Sequence, residues 1–331
     1  HTNLIKNNIM RQESIKLFFH LFSTKQIVLV YLFFPLYFIS FSSTNHIHKE
    51  YPYSIALKDS IKPNKINKTR LALVSSSVPI LTTGVFIYFQ NAWWNDTLQS
   101  YGLPKSKFHF DDSKEMKYAL GLDKCGHFWS SQLTSSVFGE LLVWSGFPIK
   151  KAKWIGASFA ILTSGIVEIK DGMAPWWGFS LTDMSANVLG SLYPVLQEYE
   201  PFFKNFNFKW SYDFLNKSYY KTIPTNVNKS FMDDYERHTY WLCSNISGLS
   251  PAAWKRYIPA YLSFDIGLSA EKLDGHGLGK KEWFVAIGLD LSRINFKKYH
   301  FILKQKHIIN QYRLPTPAQK LYPRNVGYLL S

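Results

Sequence analysis

Between residues 71 and 196 the sequence holds apolar stretches of helical length, and after about residue 205 the pattern switches to alternation of apolar and polar side chains. That switch predicts a mainly α chain, α+β overall: a bundle of about four helices followed by a small antiparallel β region. The first helix covers 71–89, a run without a charge. At about 19 residues it is long enough to cross a bilayer, but Ser75, Ser76, Ser77, Pro79, Thr82 and Thr83 dilute it, so a buried or interfacial position fits equally well. Three more helices are expected over 114–144, 150–170 and 181–196. Gly126, Gly139, Gly156, Gly165 and Gly190 would let these helices approach closely, in a membrane or in a tight soluble bundle.

In the second half, Ser263, Asp265 and Ser269 alternate with Leu262, Phe264, Ile266 and Leu268, and Trp283, Val285, Ile287 and Leu289 repeat the habit. Period-two spacing argues for strands over 260–270 and 283–291, with a third over 299–309. Three strands are too few for a transmembrane barrel, so the expectation is a small sheet on the bundle or on a membrane. The tail with Pro315, Pro317 and Pro323 reads as extended. The 91–111 segment, with Trp93 and Trp94, is expected at a surface.

Residues 27–41 are nearly all apolar, preceded by Arg11, Lys16 and Lys25 and followed by Ser42 and Ser43. This is the layout of a secretory signal, too short at about 15 residues to span as a helix and interrupted by Pro35. No Cys follows the run, so a cleaved signal or a retained anchor is expected in place of a lipid-anchored form. The organisation read from the chain is therefore a signal peptide or anchor over 1–43, a linker over 44–70, the helical bundle over 71–205 and the strand-bearing region over 206–331.

A formal charge of +15 and an aromatic content of 17% need a partner class. The Lys and Arg residues are scattered and form no basic stripe, which argues against nucleic acid. Anionic lipid or another envelope component suits a basic, aromatic surface better; no protein partner can be named from the sequence. The two cysteines, Cys125 and Cys243, belong to no metal-spaced cluster, and one disulfide between them stays open.

The residues that carry chemistry lie in DKCGHF (123–128), EIKDG (168–172) and SLTDMSANVLG (180–190). Asp123 and His127 stand four apart and share a helix face, where a carboxylate can orient an imidazole and raise its pKa; they are the candidate acid/base pair. Glu168 and Asp171 are three apart, and Asp183 and Asn187 four apart. Lys124, Glu168, Asp171, Asp183 and Asn187 complete a candidate polar cluster, in which Glu168, Asp171 and Asp183 could hold a divalent cation. Such groups on apolar helices are costly unless paired, metal-bound or hydrated. Plainer readings stand beside each pair: Ser180–Asp183 fits a capping box, Gly172 could cap a helix over solvated acids, and a single histidine is usually a hydrogen-bonded core residue.

At these positions the sequence resembles the predicted periplasmic lipoprotein family typified by YfiM, particularly its larger Bacteroidetes members. The likeness runs through Asp123, Lys124 and His127, then Glu168, Asp171 and Gly172, then Trp177, Gly178 and Phe179, then Asp183, Asn187 and Gly190. DDYERHTYWLCSN (233–245) and RYIPAYLSFDIG (256–267) are similar to the C-terminal extension of those members. VanZ-like membrane proteins share the order DK-x-x-H, Glu, Asp-x-x-x-Asn-x-x-Gly more distantly. The sequence departs from the first family in lacking the lipobox Cys and from the second in its single strong apolar helix. The resemblance implies a place in the bacterial cell envelope, periplasmic or membrane-associated. Neither family supplies an established reaction.

Two functions compete. One is a non-enzymatic envelope protein whose polar cluster is structural or binds an amphiphile. The other is a membrane-proximal, metal-dependent hydrolase acting on a lipid or phospho-lipid, with His127 as general acid/base. The chain has no GxSxG, HExxH, P-loop or dinucleotide fingerprint, and the first reading is preferred.

Overall fold

The computed structural model describes residues 65–94, 108–111, 116–174, 177–214, 231–274, 277–294, 306–322 and 328–330. All of them lie in one compact unit, Lys58–Asn295 with Lys306–Ser331. The export segment expected over 1–43 and most of the linker expected over 44–70 lie outside the described residues.

Four long helices form: α1 (Lys68–Ala92), α2 (Leu122–Trp144), α3 (Ile149–Gly172) and α4 (Leu181–Tyr199). Asn67 starts α1, its side chain accepting from the Arg70 N–H at 3.0 Å, and Ser180 starts α4 by accepting from the Asp183 N–H at 3.0 Å. These caps satisfy donors that a helix leaves open at its first turn. Helix α2 begins later than the expected residue 114. Ala119, Leu120 and Gly121 have φ of 46°, 53° and 81°, and a right-handed helix cannot propagate through left-handed backbone.

Helices α2, α3 and α4 pack against one another, and α1 lies along α2 more lightly. A Cβ at Gly156 would sit 2.4 Å from the Ser135 carbonyl oxygen, and one at Gly190 would sit 2.1 Å from that of Phe128. These glycines therefore set how closely α3 and α4 cross α2.

The β region is a six-stranded antiparallel meander, β1 (Phe206–Tyr212), β2 (His238–Asn245), β3 (Leu262–Glu271), β4 (Lys280–Leu289), β5 (Pro317–Tyr322) and β6 (Tyr328–Leu330), each strand pairing with the next. The strands expected at 260–270 and 283–291 are β3 and β4. The expectation over 299–309 is corrected in its described part, since Lys306–Ile309 is a helical turn. The Asn310 N–H bonds the Lys306 carbonyl at 2.8 Å, and the turn brings the Asn310 side chain to Lys209 at 2.8 Å. Beyond it the chain meets the open edge of β1: Trp210 N–H donates to Gln311 O at 3.0 Å, and Arg313 N–H to Trp210 O at 2.9 Å. The sheet is thereby curled towards closure.

On β3 the polar face is the buried one, and Trp241, Cys243, Phe284 and Ala286 of the neighbouring strands share that side. Ser263, Asp265 and Ser269 are buried while Phe264, Ile266 and Ile287 are exposed. At the β1 end the apolar face is covered by α2, with Phe128 on Phe208 at 4.9 Å between ring centroids and Trp129 on Trp210 at 4.7 Å. Bundle and sheet thus share one packed seam.

Candidate polar centre between three helices

The Asp123, Lys124 and His127 side chains leave the first turns of α2, Glu168 leaves the last turn of α3, and Asp183 and Asn187 leave the first turns of α4. The close crossings set by Gly156 and Gly190 bring these ends together. Lys124 Nζ lies 2.8 Å from Asp123 Oδ2 and 2.7 Å from Asp183 Oδ1, so one ammonium ties α2 to α4. Around the imidazole of His127, Nδ1 faces Asn187 Oδ1 at 3.2 Å and Glu168 Oε1 at 3.4 Å, and Nε2 faces Asp183 Oδ1 at 3.7 Å. Asn187 donates to Glu168 Oε1 at 3.0 Å and accepts from Ser131 Oγ at 2.9 Å. The Ser180 backbone N–H also donates to Glu168.

The spacing-based pair of Asp123 with His127 is rearranged. Asp123 turns its carboxylate to Lys124, and Asn187 and Glu168 orient the imidazole instead. Asp171, grouped with Glu168 and Asp183 as a candidate cation ligand, is instead held by Trp94, whose Nε1 donates to Asp171 Oδ1 at 2.6 Å. Three residues on from Glu168, Asp171 is displaced around the helix far enough to meet α1. The surface position expected for Trp94 is corrected by the same contact, because Trp94 is buried. The group whose donor atoms converge is His127, Glu168 and Asp183, one atom from each lying within 4.8 Å of the others.

Ser180 does cap α4, but the Asp183 carboxylate is engaged with Lys124. Nor does Gly172 act as a C-cap: α3 runs through it to Met173, and a Cβ there would meet the Phe108 ring at 2.6 Å. Cys125 and Cys243 are both free.

Burial dominates the electrostatics. It pushes Asp123 up to about 6, with Asp183 adding to the shift and Lys124 opposing it. It pushes Glu168 up to about 7 against the attraction of His127, and Asp171 up to about 7 against the Trp94 hydrogen bond. Burial works the other way on His127 and Lys124, but nearby carboxylates outweigh it and both are raised. Asp123, Glu168 and Asp183 thus face Lys124 and His127, and Asp123 Oδ1 is buried without a hydrogen-bond partner among the described residues. The centre is a polar network whose carboxyl groups burial holds partly protonated near neutrality.

Sequence reasoning missed Ser131 and Trp94. Ser131 was within reach, since it follows His127 by four residues and continues the same face. Trp94 carried no such signal.

Residues 110–199, which take in α2, α3, α4 and the whole centre, match the sequence profile of a family described as predicted periplasmic lipoprotein (DUF2279). The chain is similar to that family over this stretch, which supports an exported protein of the cell envelope. No curated protein and no solved structure matches the chain.

Proposed function

We propose that this envelope protein is membrane-associated, held to lipid by apolar surface that the folded unit leaves open. The observation that carries the reading is the exposure of α1. The helix is 25 residues long, its mean hydropathy reaches 1.7, and its buried residues are Val74, Phe89 and Ala92. Leu73, Ile80 and Ile87 stand in the open, Ile80 at 72% exposure. A soluble helix of this length normally covers its apolar stripe against a core, and an uncovered one marks an interaction surface.

The sheet supports the same partner. Leu242, Phe264, Ile266, Trp283 and Ile287 are exposed on one face. At one end of β3 stand Trp254, Lys255, Arg256 and Tyr257, and at the other Lys280 and Lys281, all exposed. Aromatic and basic rims around an apolar band suit anionic lipid headgroups above acyl chains.

The test is flotation of the purified full chain with vesicles of anionic phospholipid. The wild type should float. Replacing Leu73, Ile80 and Ile87 together by Gln should cut the floated fraction at least tenfold without changing the unfolding transition, because these side chains are exposed. A triple variant that floats like the wild type refutes the role of α1.

A further inference from the structure

We propose that His127, Glu168 and Asp183 form a binding site for one divalent metal ion of the zinc class. This goes beyond lipid association and does not depend on it. The three residues come from three different helices, so no local turn or cap explains their meeting. Their donor set, one imidazole nitrogen and two carboxylate oxygens, is the type that zinc and its neighbours prefer over magnesium or calcium, which favour all-oxygen shells.

The spacing is close to what such an ion needs. Ligand bonds of about 2.0–2.2 Å in a tetrahedral arrangement put donor atoms roughly 3.4 Å apart. The Nε2–Asp183 Oδ1 pair is already at 3.7 Å, and one donor atom from each of the three residues lies within 4.8 Å of the others, a gap that an ion would have to draw in. Asn187 Oδ1 beside His127 Nδ1 can accept the ring N–H, which leaves Nε2, on the Asp183 side, with its lone pair free. A metal-binding histidine is commonly fixed by such a partner on its other nitrogen. His127 is also the open member of the group, its side chain 27% exposed against 2% for Glu168 and 12% for Asp183. An ion therefore has a way in.

A second observation points to a missing cation. Asp123 is 4% exposed, and its Oδ1 has no hydrogen-bond partner among the described residues. Its other oxygen shares Lys124 with Asp183, so a single ammonium serves two buried carboxylates. A divalent ion on Asp183 would release Lys124 to Asp123 and satisfy both.

The experiment is calorimetric titration of the chelator-treated full chain with zinc chloride, with magnesium chloride as comparator. One equivalent of zinc should bind, and magnesium at least a hundredfold more weakly. Glu168→Gln and Asp183→Asn should each weaken zinc at least tenfold while keeping the wild-type circular dichroism. Lys124→Gln should tighten it, because the ammonium that competes for Asp183 is gone; a strut would give no such gain. Absence of a stoichiometric zinc site overturns the proposal. So does zinc binding that Glu168→Gln and Asp183→Asn leave unchanged, which would place the ion elsewhere on the chain.

Discussion

Among the described residues, the buried polar groups inside the curled sheet and those between the helices are treated differently. Inside the curled sheet, Asp265 meets Arg313 at 3.2 Å and accepts from Ser263 at 2.7 Å, and Arg313 lies over the Trp241 ring at 3.8 Å. Lys209 donates to Leu289 O and to Asn310, while Asp290 receives Asn245, Asn310 and Ser292. Asp265, Lys209 and Asp290 each have a partner far along the chain, in Arg313, Asn310 and Asn245, and Gly288 is bare because a Cβ there would strike Asp265 Oδ2. Between the helices the acids outnumber the bases, burial raises three carboxyl groups, and an Asp123 oxygen stands alone. A network in which every charge is partnered holds a fold together; one with an unpartnered buried carboxylate oxygen suits a binding centre.

If the contrast is real, removing one member of the sheet network should hurt most. Arg313→Met leaves Asp265 buried and uncompensated and should cost about 3–5 kcal/mol in urea unfolding. A loss below about 1 kcal/mol would break the distinction from the sheet side.

The two regions should also answer acid in opposite senses. His238 on β2 is buried, its Nε2–H donating to Phe231 O at 2.9 Å, and burial holds its pKa down to about 4. The unfolded chain takes up a proton as pH falls below about 6.5 and the folded chain does not, so stability drains away between about pH 6.5 and 4, by up to about 3 kcal/mol. Asp171 has the reverse sign: its pKa is raised from 3.8 to about 7, so its contribution is full below about 3.8 and is lost as pH rises to about 7. Urea titrations between about pH 4 and 7 should show His238→Gln removing a loss of stability on acidification and Asp171→Asn removing a loss as pH rises. Identical profiles for both variants would remove the contrast.

Packing and charge can be separated within the helical centre. Gly190→Ala forces α4 away from the Phe128 carbonyl and should cost about 1–3 kcal/mol. Ser180→Ala, which deletes the cap of α4, should cost about 1 kcal/mol. Both losses should exceed that of Glu168→Gln if close backbone crossings, not charges, hold the helices together.

The same contrast explains what was legible in the sequence. The helical centre announces itself locally, because Asp123 and His127, and Asp183 and Asn187, are each four apart on apolar helices. Helical spacing shows which residues share a face, but it does not show which partner each will choose. Hence Asp171 went to Trp94, 77 positions away, and Asp123 to its neighbour Lys124. The sheet network is drawn from residues 207–313, whose pairing depends on strand register across long loops. Nothing local marks Lys209, Asp290 or Arg313 as partners. Alternation revealed β3 and β4, but it is symmetric between the faces, and only the register shows that the polar side turns inward. β1 was missed although Phe206, Phe208, Trp210 and Tyr212 alternate with Asn207, Lys209 and Ser211, whereas in β2 the consecutive Tyr240, Trp241, Leu242 and Cys243 blur the alternation on which a strand is recognised.

The most direct test of the account is the unfolding free energy of Glu168→Gln in chelator, compared with the wild type under the same conditions. Burial already holds the Glu168 carboxyl half-protonated near neutrality, so a neutral isostere should leave stability within about 1 kcal/mol of wild type, or raise it. A drop of about 3 kcal/mol or more, as expected for Arg313→Met, would make the helical centre a second structural knot and contradict its assignment as a binding centre.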